Sequence, residues 1–314
     1  MVIAIHIPVM EKELITGLNI KSNGSYIDAT FGRGGHTRAI LEKLGPDGRV
    51  LVIDKDPDAI LAAKKLQVED PRISIYHGSY TNMQQFSETE KVFGKIDGII
   101  LDLGLSSPQL DEANRGFSFM KDGPLDMRMD PTSGVSAADW LKNANSDEIA
   151  SVLKVYGEEK HAKLIANAIC RAMQEQPITT TKRLADIISN VYPRKYELHK
   201  HPATRSFQGI RIFINNELED LKKALEPVVS ILNFGGRLVI ISFHSLEDRI
   251  VKQFIANEAK GDIFPRMLPV MASQLQPTLK KFGKQKPQED EILRNVRARS
   301  AILRVAEKLP MRLQ

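Results

Sequence analysis

Cysteine, aromatic residues and long apolar runs are scarce in this chain, and each scarcity excludes a class of protein. The 314 residues include one cysteine, one tryptophan and only 6% aromatic residues in total. A single cysteine cannot build a disulfide framework and favours a reducing compartment, so we expect a cytoplasmic protein. No apolar run is long enough to span a membrane, and the first residues lack the basic region and the cleavage site of a signal peptide.

Positive charge is concentrated near the C-terminus. The net charge is +5, whereas residues 260–314 alone hold twelve Lys or Arg against five Asp or Glu. Within this region four lysines surround a predicted loop that contains Gly and Pro: Lys280, Lys281, Lys284 and Lys286. A basic loop is typical of a protein that binds a polyphosphate partner. Because Phe282 is its single aromatic residue, we expect it to hold a phosphate backbone rather than to read bases. The alternative is a solvated basic surface.

The most informative segment is residues 25–36, Ser-Tyr-Ile-Asp-Ala-Thr-Phe-Gly-Arg-Gly-Gly-His. It predicts a strand ending at Asp28, a glycine turn and then a helix, which is typical of a nucleotide-cofactor site because glycine lets the backbone approach a ligand. Thr37 stands where a dinucleotide fingerprint has its last glycine. A carboxylate four residues before the first glycine suits a cationic amine and would repel a pyrophosphate. We therefore predict S-adenosylmethionine (AdoMet), a methyl donor that carries such an amine.

The strands predicted after this turn also lead to polar residues. An apolar run over residues 49–54 ends at Asp54, whose carboxylate can accept both ribose hydroxyls of an adenosine. Tyr80 follows the third strand, where an adenine edge would lie, and the fourth strand ends at Asp102. Because the carboxyl ends of parallel strands share one edge of a sheet, we expect the cofactor at that edge.

Each of these residues also has a simpler interpretation. Asp28 and Asp54 could cap the helices that follow them, and His36 could do no more than cover the glycine turn. A Rossmann dehydrogenase shares the strand–turn–helix unit, although Thr37 argues against it. A spectroscopic response to NADH but not to AdoMet would favour that alternative.

Helix-like patterns replace strand-like ones after Leu103. We predict helices from Ser146, over 158–173, over 181–191 and over about 210–232, and strands again at 236–243 and 300–306. The predicted fold class is α/β, a Rossmann-like AdoMet-dependent methyltransferase sheet with an inserted helical domain. Residues 1–110 and 210–314 would form the AdoMet-binding domain, and residues 111–209 an inserted helical domain for substrate recognition.

The residue types restrict the chemistry. Methylation of a pyrimidine ring carbon usually needs a cysteine nucleophile, and the single Cys170 lies in a predicted apolar helix. His199 and His201 lack acids or thiols at ligand spacing, so we expect no metal. What remains is direct methyl transfer to a nitrogen or oxygen, which depends on positioning because the sulfonium is already activated.

Ten or more sequence blocks, in order, closely resemble the RsmH (MraW) family of AdoMet-dependent methyltransferases, which act on cytosine N4 in bacterial 16S ribosomal RNA. They include Asp28-Ala-Thr-Phe-Gly-Arg-Gly-Gly-His36, Leu101-Asp-Leu-Gly-Leu-Ser-Ser-Pro-Gln-Leu-Asp111 and Ser242-Phe-His-Ser-Leu-Glu-Asp-Arg249. Further blocks lie at residues 6–10, 54–57, 115–119, 123–130, 201–208, 211–212, 215–218 and 297–304. Val296 stands where the family usually has proline, and Gly209 where it usually has alanine.

The resemblance implies which residues contact AdoMet: Gly34, Gly35, His36, Asp54, Tyr80, Asp102 and Gln109. It also implies a cytidine of small-subunit ribosomal RNA as the substrate and a helical domain that helps to hold the RNA. We expect this RNA to be part of the small ribosomal subunit, although no motif distinguishes it from free RNA. Gln109 is assigned by the resemblance alone.

No motif identifies the group that activates the exocyclic amine of the cytosine. We expect Asp102, or a carbonyl in residues 102–111, to accept the hydrogens of the amine, and polar groups from Arg115 to Arg128, or Phe117 or Phe119, to hold a flipped base. A further alternative is a non-catalytic AdoMet-binding ribosome assembly factor that binds the subunit through its basic loop.

Overall fold

The computed structural model describes residues 8–192, 201–261 and 275–310. Its strands are β1 (Ser25–Asp28), β2 (Arg49–Asp54), β3 (Ile73–His77), β4 (Ile96–Asp102), β5 (Leu232–Ser242), β6 (Leu279–Gln285) and β7 (Ile302–Lys308). Its helices are α1 (Glu11–Leu18), α2 (Gly35–Leu41), α3 (Pro57–Glu69), α4 (Met83–Thr89), α5 (Ser107–Asp111), α6 (Ala137–Asn143), α7 (Ser146–Val155), α8 (Ala162–Glu175), α9 (Thr181–Ser189), α10 (Ala203–Ile214), α11 (Glu217–Leu225), α12 (Val228–Ile231), α13 (Ser245–Lys260) and α14 (Glu289–Arg294). None of the helices described combines the length and the apolar character needed to cross a bilayer.

The strands form one sheet in the order β3-β2-β1-β4-β5-β7-β6. β1 to β5 are parallel, whereas β7 pairs antiparallel with both β5 and β6. Apolar β-branched residues dominate the central strands because both faces of a parallel sheet are covered by helices. The topological switch point of the sheet lies at β1, because β2 lies on one side of it and β4 on the other. Open α/β sheets bind ligands in the crevice at such a point. This sheet confirms the predicted fold class.

Successive residues of the strands divide between two apolar cores. Tyr26, Val52 and Ile100 pack on one face of the sheet with helix residues that include Leu14, Ile40 and Ala63. Ile27, Leu51 and Ile99 pack on the other face with Leu221, Val228 and Val251. The period of two residues along a strand produces this division, and helices on both faces hold the strand ends rigidly.

The chain divides into two compact units, one of Met1–Gly104 with Leu218–Gln314 and one of Leu105–Glu217. The second unit is helical and has its own core, which includes Trp140, Ile165 and Phe207. The sequence patterns predicted a helical domain over residues 111–209, which is shorter at both ends than the observed unit of Leu105–Glu217. The difference arises because α5 begins at Ser107 and α10 continues to Ile214.

Some predicted elements are wrong in detail. The single helix predicted over 210–232 is broken, because Asn216 has a left-handed φ of 53° and Pro227 precedes α12. The helix predicted from Glu158 begins instead at Ala162, since Glu158 also has a positive φ of 48°. The predicted basic loop contains a strand, β6, and the last strand runs from Ile302 to Lys308 after a 3-10 turn over Val296–Ser300.

The two departures from the family pattern have different settings. Gly209 on α10 lies against Gly157, and a Cβ at Gly209 would come within 2.8 Å of the Gly157 nitrogen. Glycine therefore permits this close helix contact. Val296 is 68% exposed at the start of its 3-10 turn, where Asn295 caps the backbone of Arg297.

Candidate functional site

Three carboxylates end three adjacent parallel strands of the sheet. Asp28 is the last residue of β1, Asp54 of β2 and Asp102 of β4. Asp28 pairs with Val52 on one side and with Ile100 on the other, so Asp54 and Asp102 lie level with each other, two residues beyond Asp28. The acids therefore gather at one edge of the sheet, around the glycine turn that leads into α2. Such an edge is where open α/β sheets bind ligands.

Asp28 is a positioning residue in this arrangement. Its carboxylate is 1% exposed and accepts hydrogen bonds from the Thr37 hydroxyl at 2.6 Å and the Thr30 backbone N–H at 3.2 Å. Burial raises the pKa of Asp28, against the lowering effect of the bond from Thr37. The expectation that Asp28 faces a cationic amine is therefore not met by this geometry. Instead it ties the start of α2 to the end of β1.

Asp54 keeps acceptor capacity for a ligand. The backbone N–H of Gly32 donates to its Oδ2 at 2.7 Å, and that of Asp56 donates to its Oδ1 at 2.8 Å. A carboxylate offers about four lone-pair sites, so each oxygen can accept one more hydrogen bond. Burial raises the pKa of Asp54 to about 6, although both backbone hydrogen bonds lower it. A vicinal diol, which donates two hydrogen bonds, matches the two sites that remain.

His36 and Asp102 face each other across the site. His36 Nε2 lies 3.4 Å from Asp102 Oδ2, and the imidazole side chain is 7% exposed. Neither ring nitrogen of His36, nor Oδ1 of Asp102, has a hydrogen-bond partner among the described residues, so the 3.4 Å contact is electrostatic rather than a well-aligned hydrogen bond. Burial lowers the pKa of His36, but Asp102, Asp28 and Glu11 together raise it above its ordinary value. Buried polar atoms are almost always hydrogen-bonded, so unpartnered ones at this edge need an explanation, and a catalytic role is one.

The glycines of the turn are required by protein contacts as well. Gly34 has a φ of 77° and caps α2, and a Cβ there would lie 2.6 Å from the Phe31 ring. A Cβ at Gly35 would lie 2.4 Å from Pro8. The side of the turn where side chains would project is therefore filled by the protein itself. A ligand can approach only the opposite, backbone side.

The end of β3 is joined to this edge by a contact that the sequence did not indicate. Tyr80 begins a 3-10 turn, is half-buried, and has Lys55 Nζ 5.9 Å from its ring centroid. Lys55 forms an ion pair with Asp220, which also accepts a hydrogen bond from the Ser79 hydroxyl at 3.3 Å. Lys55 and Asp220 are 165 residues apart, so no local pattern could pair them.

The remaining residues predicted at the cofactor site or the RNA lie in the helical unit or on β6. Gln109 is buried in α5, where its Oε1 accepts a hydrogen bond from the Ser106 backbone N–H at 2.9 Å. Arg115 is 8% exposed and donates to the Met129 carbonyl at 2.9 Å. Arg128 binds the Asp126 carboxylate through two hydrogen bonds of 2.8 and 2.7 Å. Both guanidinium groups thus hold one loop together.

The basic residues of the C-terminal region lie on an edge strand. Lys280, Lys281, Lys284 and Lys286 are all exposed on or directly after β6. The structure also adds aromatic and basic neighbours that the sequence did not reveal, since the guanidinium of Arg237 lies 4.1 Å from the Phe282 ring centroid and Lys280 lies 5.1 Å from it. β6 is thus a basic edge with a partly exposed ring.

One functional candidate was missed at the end of β5. His244 caps α13, and its Nε2 is buried without a hydrogen-bond partner among the residues described. The signal in the sequence was a histidine placed directly after an apolar strand. Of the histidine pair considered for a metal, His199 lies outside the described residues, and His201 stacks on Phe119 with ring centroids 4.5 Å apart.

The chain was also compared with known proteins. The family described as "MraW methylase family" matches residues 3–309. Among solved structures, an rRNA methylase from Streptococcus thermophilus is 12% identical, with 98% of this chain and 100% of that chain covered and a TM-score of 0.43. A SAM-dependent O-methyltransferase from Thermotoga maritima is 10% identical, with 97% and 66% covered and a TM-score of 0.40. At these TM-scores the backbones superpose only in part, so the assignment depends on the family match.

Proposed function

The chain belongs to the MraW methylase family, and we propose that it transfers a methyl group from AdoMet to the N4 amine of a cytidine in small-subunit ribosomal RNA. The methyl donor agrees with the family, whereas the target atom and the RNA are our proposal. The observation that supports it best is the set of carboxylates at the ends of β1, β2 and β4 around the glycine turn. The dehydrogenase alternative does not agree with a methylase family.

The residues at the sheet edge fit AdoMet. Asp54 has one acceptor site left on each oxygen for the ribose hydroxyls. We place Tyr80 beside the adenine, and Gly34, Gly35 and His36 beside the methionine part. Asp102 supplies a carboxylate for the cationic amine or the substrate. Gln109 remains a contact implied by resemblance, and its placement in the helical unit gives it no support of its own.

The proposed chemistry needs a proton acceptor more than a nucleophile. AdoMet supplies a methyl group already activated by its sulfonium sulfur. The exocyclic amine of cytosine is a poor nucleophile because its lone pair is delocalised into the ring, and it must lose a proton when the new N–C bond forms. Asp102 is suited to this task, since it ends β4 at this edge of the sheet and its side chain is 25% exposed. A hydrogen bond from the amine to this carboxylate would also orient the nitrogen for in-line attack.

Steady-state kinetics of Asp102→Ala test this role. If Asp102 accepts the amine proton, kcat falls by about 10²- to 10⁴-fold. His36→Gln is the matched comparison, because it alters the neighbour of Asp102 and leaves the carboxylate in place. An unchanged kcat with only a raised KM for AdoMet would restrict Asp102 to cofactor binding.

We propose that the basic edge of β6 contacts the RNA backbone. Lys284 pairs with Arg304 and lies towards the carboxyl end of the sheet, whereas Lys280 pairs with Glu307 near the opposite end. Ile241, which pairs with Asp102, also pairs with Leu303, the partner of Gln285. Lys284 and Lys286 therefore lie at the level of Asp102, and Lys280 and Lys281 lie further from it.

Two neutralised variants of equal charge test the RNA contact. Lys284→Gln with Lys286→Gln and Lys280→Gln with Lys281→Gln each remove two charges. For a single strand, each pair should reduce the slope of log K against log salt by about 1.4. We expect the first pair to lower kcat/KM more, because it lies nearer the acids. An unchanged salt slope in both variants would remove the edge from the RNA interface.

Methyl transfer from labelled AdoMet to small subunits from a strain without this gene, followed by nucleoside mass analysis, tests the proposed function itself. Label in N4-methylcytidine is the expected result. Label in another nucleoside would retain the methylase and refute the target atom. AdoMet binding without any transfer to subunits or free RNA would favour the assembly factor.

A further inference from the structure

His244 stands at the same edge of the sheet as the three carboxylates. β5 is the neighbour of β4, with Ile241 paired to Asp102, and the Leu103 backbone N–H donates to the Ile241 carbonyl at 2.9 Å. The segments that follow β4 and β5 therefore leave the sheet side by side. Two residues after the end of β5, His244 becomes the N-cap of α13, a helix of 16 residues.

The hydrogen bonds of the imidazole determine its tautomer. The Glu247 backbone N–H donates to His244 Nδ1 at 3.4 Å. Because Nδ1 acts as an acceptor, the neutral ring carries its proton on Nε2. The Glu247 carboxylate accepts hydrogen bonds from the backbone N–H groups of Phe243 at 2.9 Å and His244 at 3.3 Å. The cap therefore uses Nδ1 of the ring and does not use Nε2.

His244 Nε2 is a buried donor that the described residues do not satisfy. The side chain is 10% exposed, and Nε2 has no hydrogen-bond partner in the parts of the chain described. Glu247 Oε1 lies 3.1 Å away but outside hydrogen-bond alignment. Buried donors in folded proteins are almost always paired, so a donor left unpaired needs an explanation, and a role in catalysis is one. Asn, Asp and Ser are the preferred N-caps, so the cap alone does not account for a histidine at this position.

From the position, the tautomer and the unsatisfied donor we infer that His244 Nε2–H contacts the substrate base, by donating to the ring nitrogen N3 on the pairing edge of the cytosine. This inference depends on the proposed function. His244 takes no proton from the amine, since its basic nitrogen faces the helix. It holds the ring so that N4 lies between the methyl donor and Asp102, and it rejects a base that presents an N–H at position 3.

His244→Asn separates the two roles of the residue. Asparagine is among the best N-caps and can still accept from the Glu247 N–H, but its short side chain places no donor where Nε2 lies. His244→Ala removes both the cap and the donor. We expect His244→Asn to retain the wild-type Tm and AdoMet affinity and to lose roughly 100-fold in kcat/KM for the subunit. His244→Ala should show the same kinetic loss together with a lower Tm.

The results that would overturn the inference are specific. Wild-type kcat/KM in His244→Asn would leave His244 a helix cap only. A kinetic loss accompanied by an equal loss of Tm or of AdoMet binding in His244→Asn would make its role structural. Failure of the proposed function is recognised separately, because wild-type protein would then place no label in N4-methylcytidine.

Discussion

Protonation of Asp54 should make the stability of the cofactor-free protein and its affinity for AdoMet change with pH in opposite directions. Asp54 carries an ordinary pKa of 3.8 in an unfolded chain and a pKa of about 6 in the fold. The perturbation we suggest is Asp54→Asn, which removes the titration and keeps the size of the side chain.

The magnitude follows from the pKa difference. A shift of about two units corresponds to about 3 kcal/mol at about 1.4 kcal/mol per unit, an upper value because the side chain is only partly buried. The fold binds the Asp54 proton more tightly than the unfolded chain does. The contribution of Asp54 is therefore most favourable below pH 3.8, falls as the pH rises to about 6 and is constant above that.

Urea unfolding of both proteins without AdoMet, at several values from about pH 4 to 7, measures this contribution. Asparagine cannot accept from both Gly32 and Asp56, so its stability carries a constant offset, and only the change with pH is compared. The wild type should lose up to about 3 kcal/mol relative to Asp54→Asn across this range. Asp70→Asn is the control. Because Arg72 lowers the pKa of Asp70 below its ordinary value of 3.8, its difference from the wild type should be flat above about pH 5.

Calorimetric binding of AdoMet supplies the opposite trend. Wild-type affinity should fall about tenfold per unit below pH 6, because the protonated carboxyl loses an acceptor for the ribose diol. Asp54→Asn should bind roughly 10- to 100-fold more weakly, with little dependence on pH. A pH-independent difference in stability, or wild-type affinity that stays constant down to pH 5, would refute the reasoning.

Two further predictions concern stability. Gly34→Ala should unfold at a markedly lower temperature and lose AdoMet binding, since its Cβ would lie 2.6 Å from the Phe31 ring at a φ of 77°. Gly134→Ala, at a φ of 71° with no atom within 4 Å, should cost only about 1 kcal/mol, and equal losses would contradict the steric argument. Asp248→Asn should cost about 1–3 kcal/mol in urea unfolding, because it breaks the two-bond ion pair of 2.6 and 3.0 Å with Arg304. An unchanged urea midpoint would show that this ion pair does not contribute to the free energy of unfolding.

Local patterns predicted the parts of the fold that depend on neighbours in sequence. β2 runs from Arg49 to Asp54 and β4 ends at Asp102, as their apolar runs predicted. Helix boundaries were less accurate where the backbone turns left-handed at a residue other than glycine, as at Glu158 and Asn216. Such a conformation is tolerated because packing in three dimensions compensates for its local cost.

The site residues divide in the same way. The positions of Asp54 and Asp102 at strand ends were predicted correctly. Their contacts with AdoMet and the RNA-contacting role of the four β6 lysines stay predictions. Arg115 and Arg128 could not be distinguished from exposed arginines, because their partners are loop carbonyls and a neighbouring carboxylate placed by the fold. Asp28 was predicted at the right strand end, and its burial beneath Thr37 depended on how α2 packs.

The sequence by itself determined the family and the methyl donor, and it placed the acids at the ends of strands, because the motifs that carry this information are short runs of consecutive residues. Only the tertiary structure decided that the basic segment pairs with β7, that Arg237 covers Phe282, and that Lys55 reaches Asp220. The physical reason is that strand pairing and ion pairing join residues tens to hundreds of positions apart, so no local period carries them. These pairings form only when the strands have assembled into the sheet and bring the distant residues together.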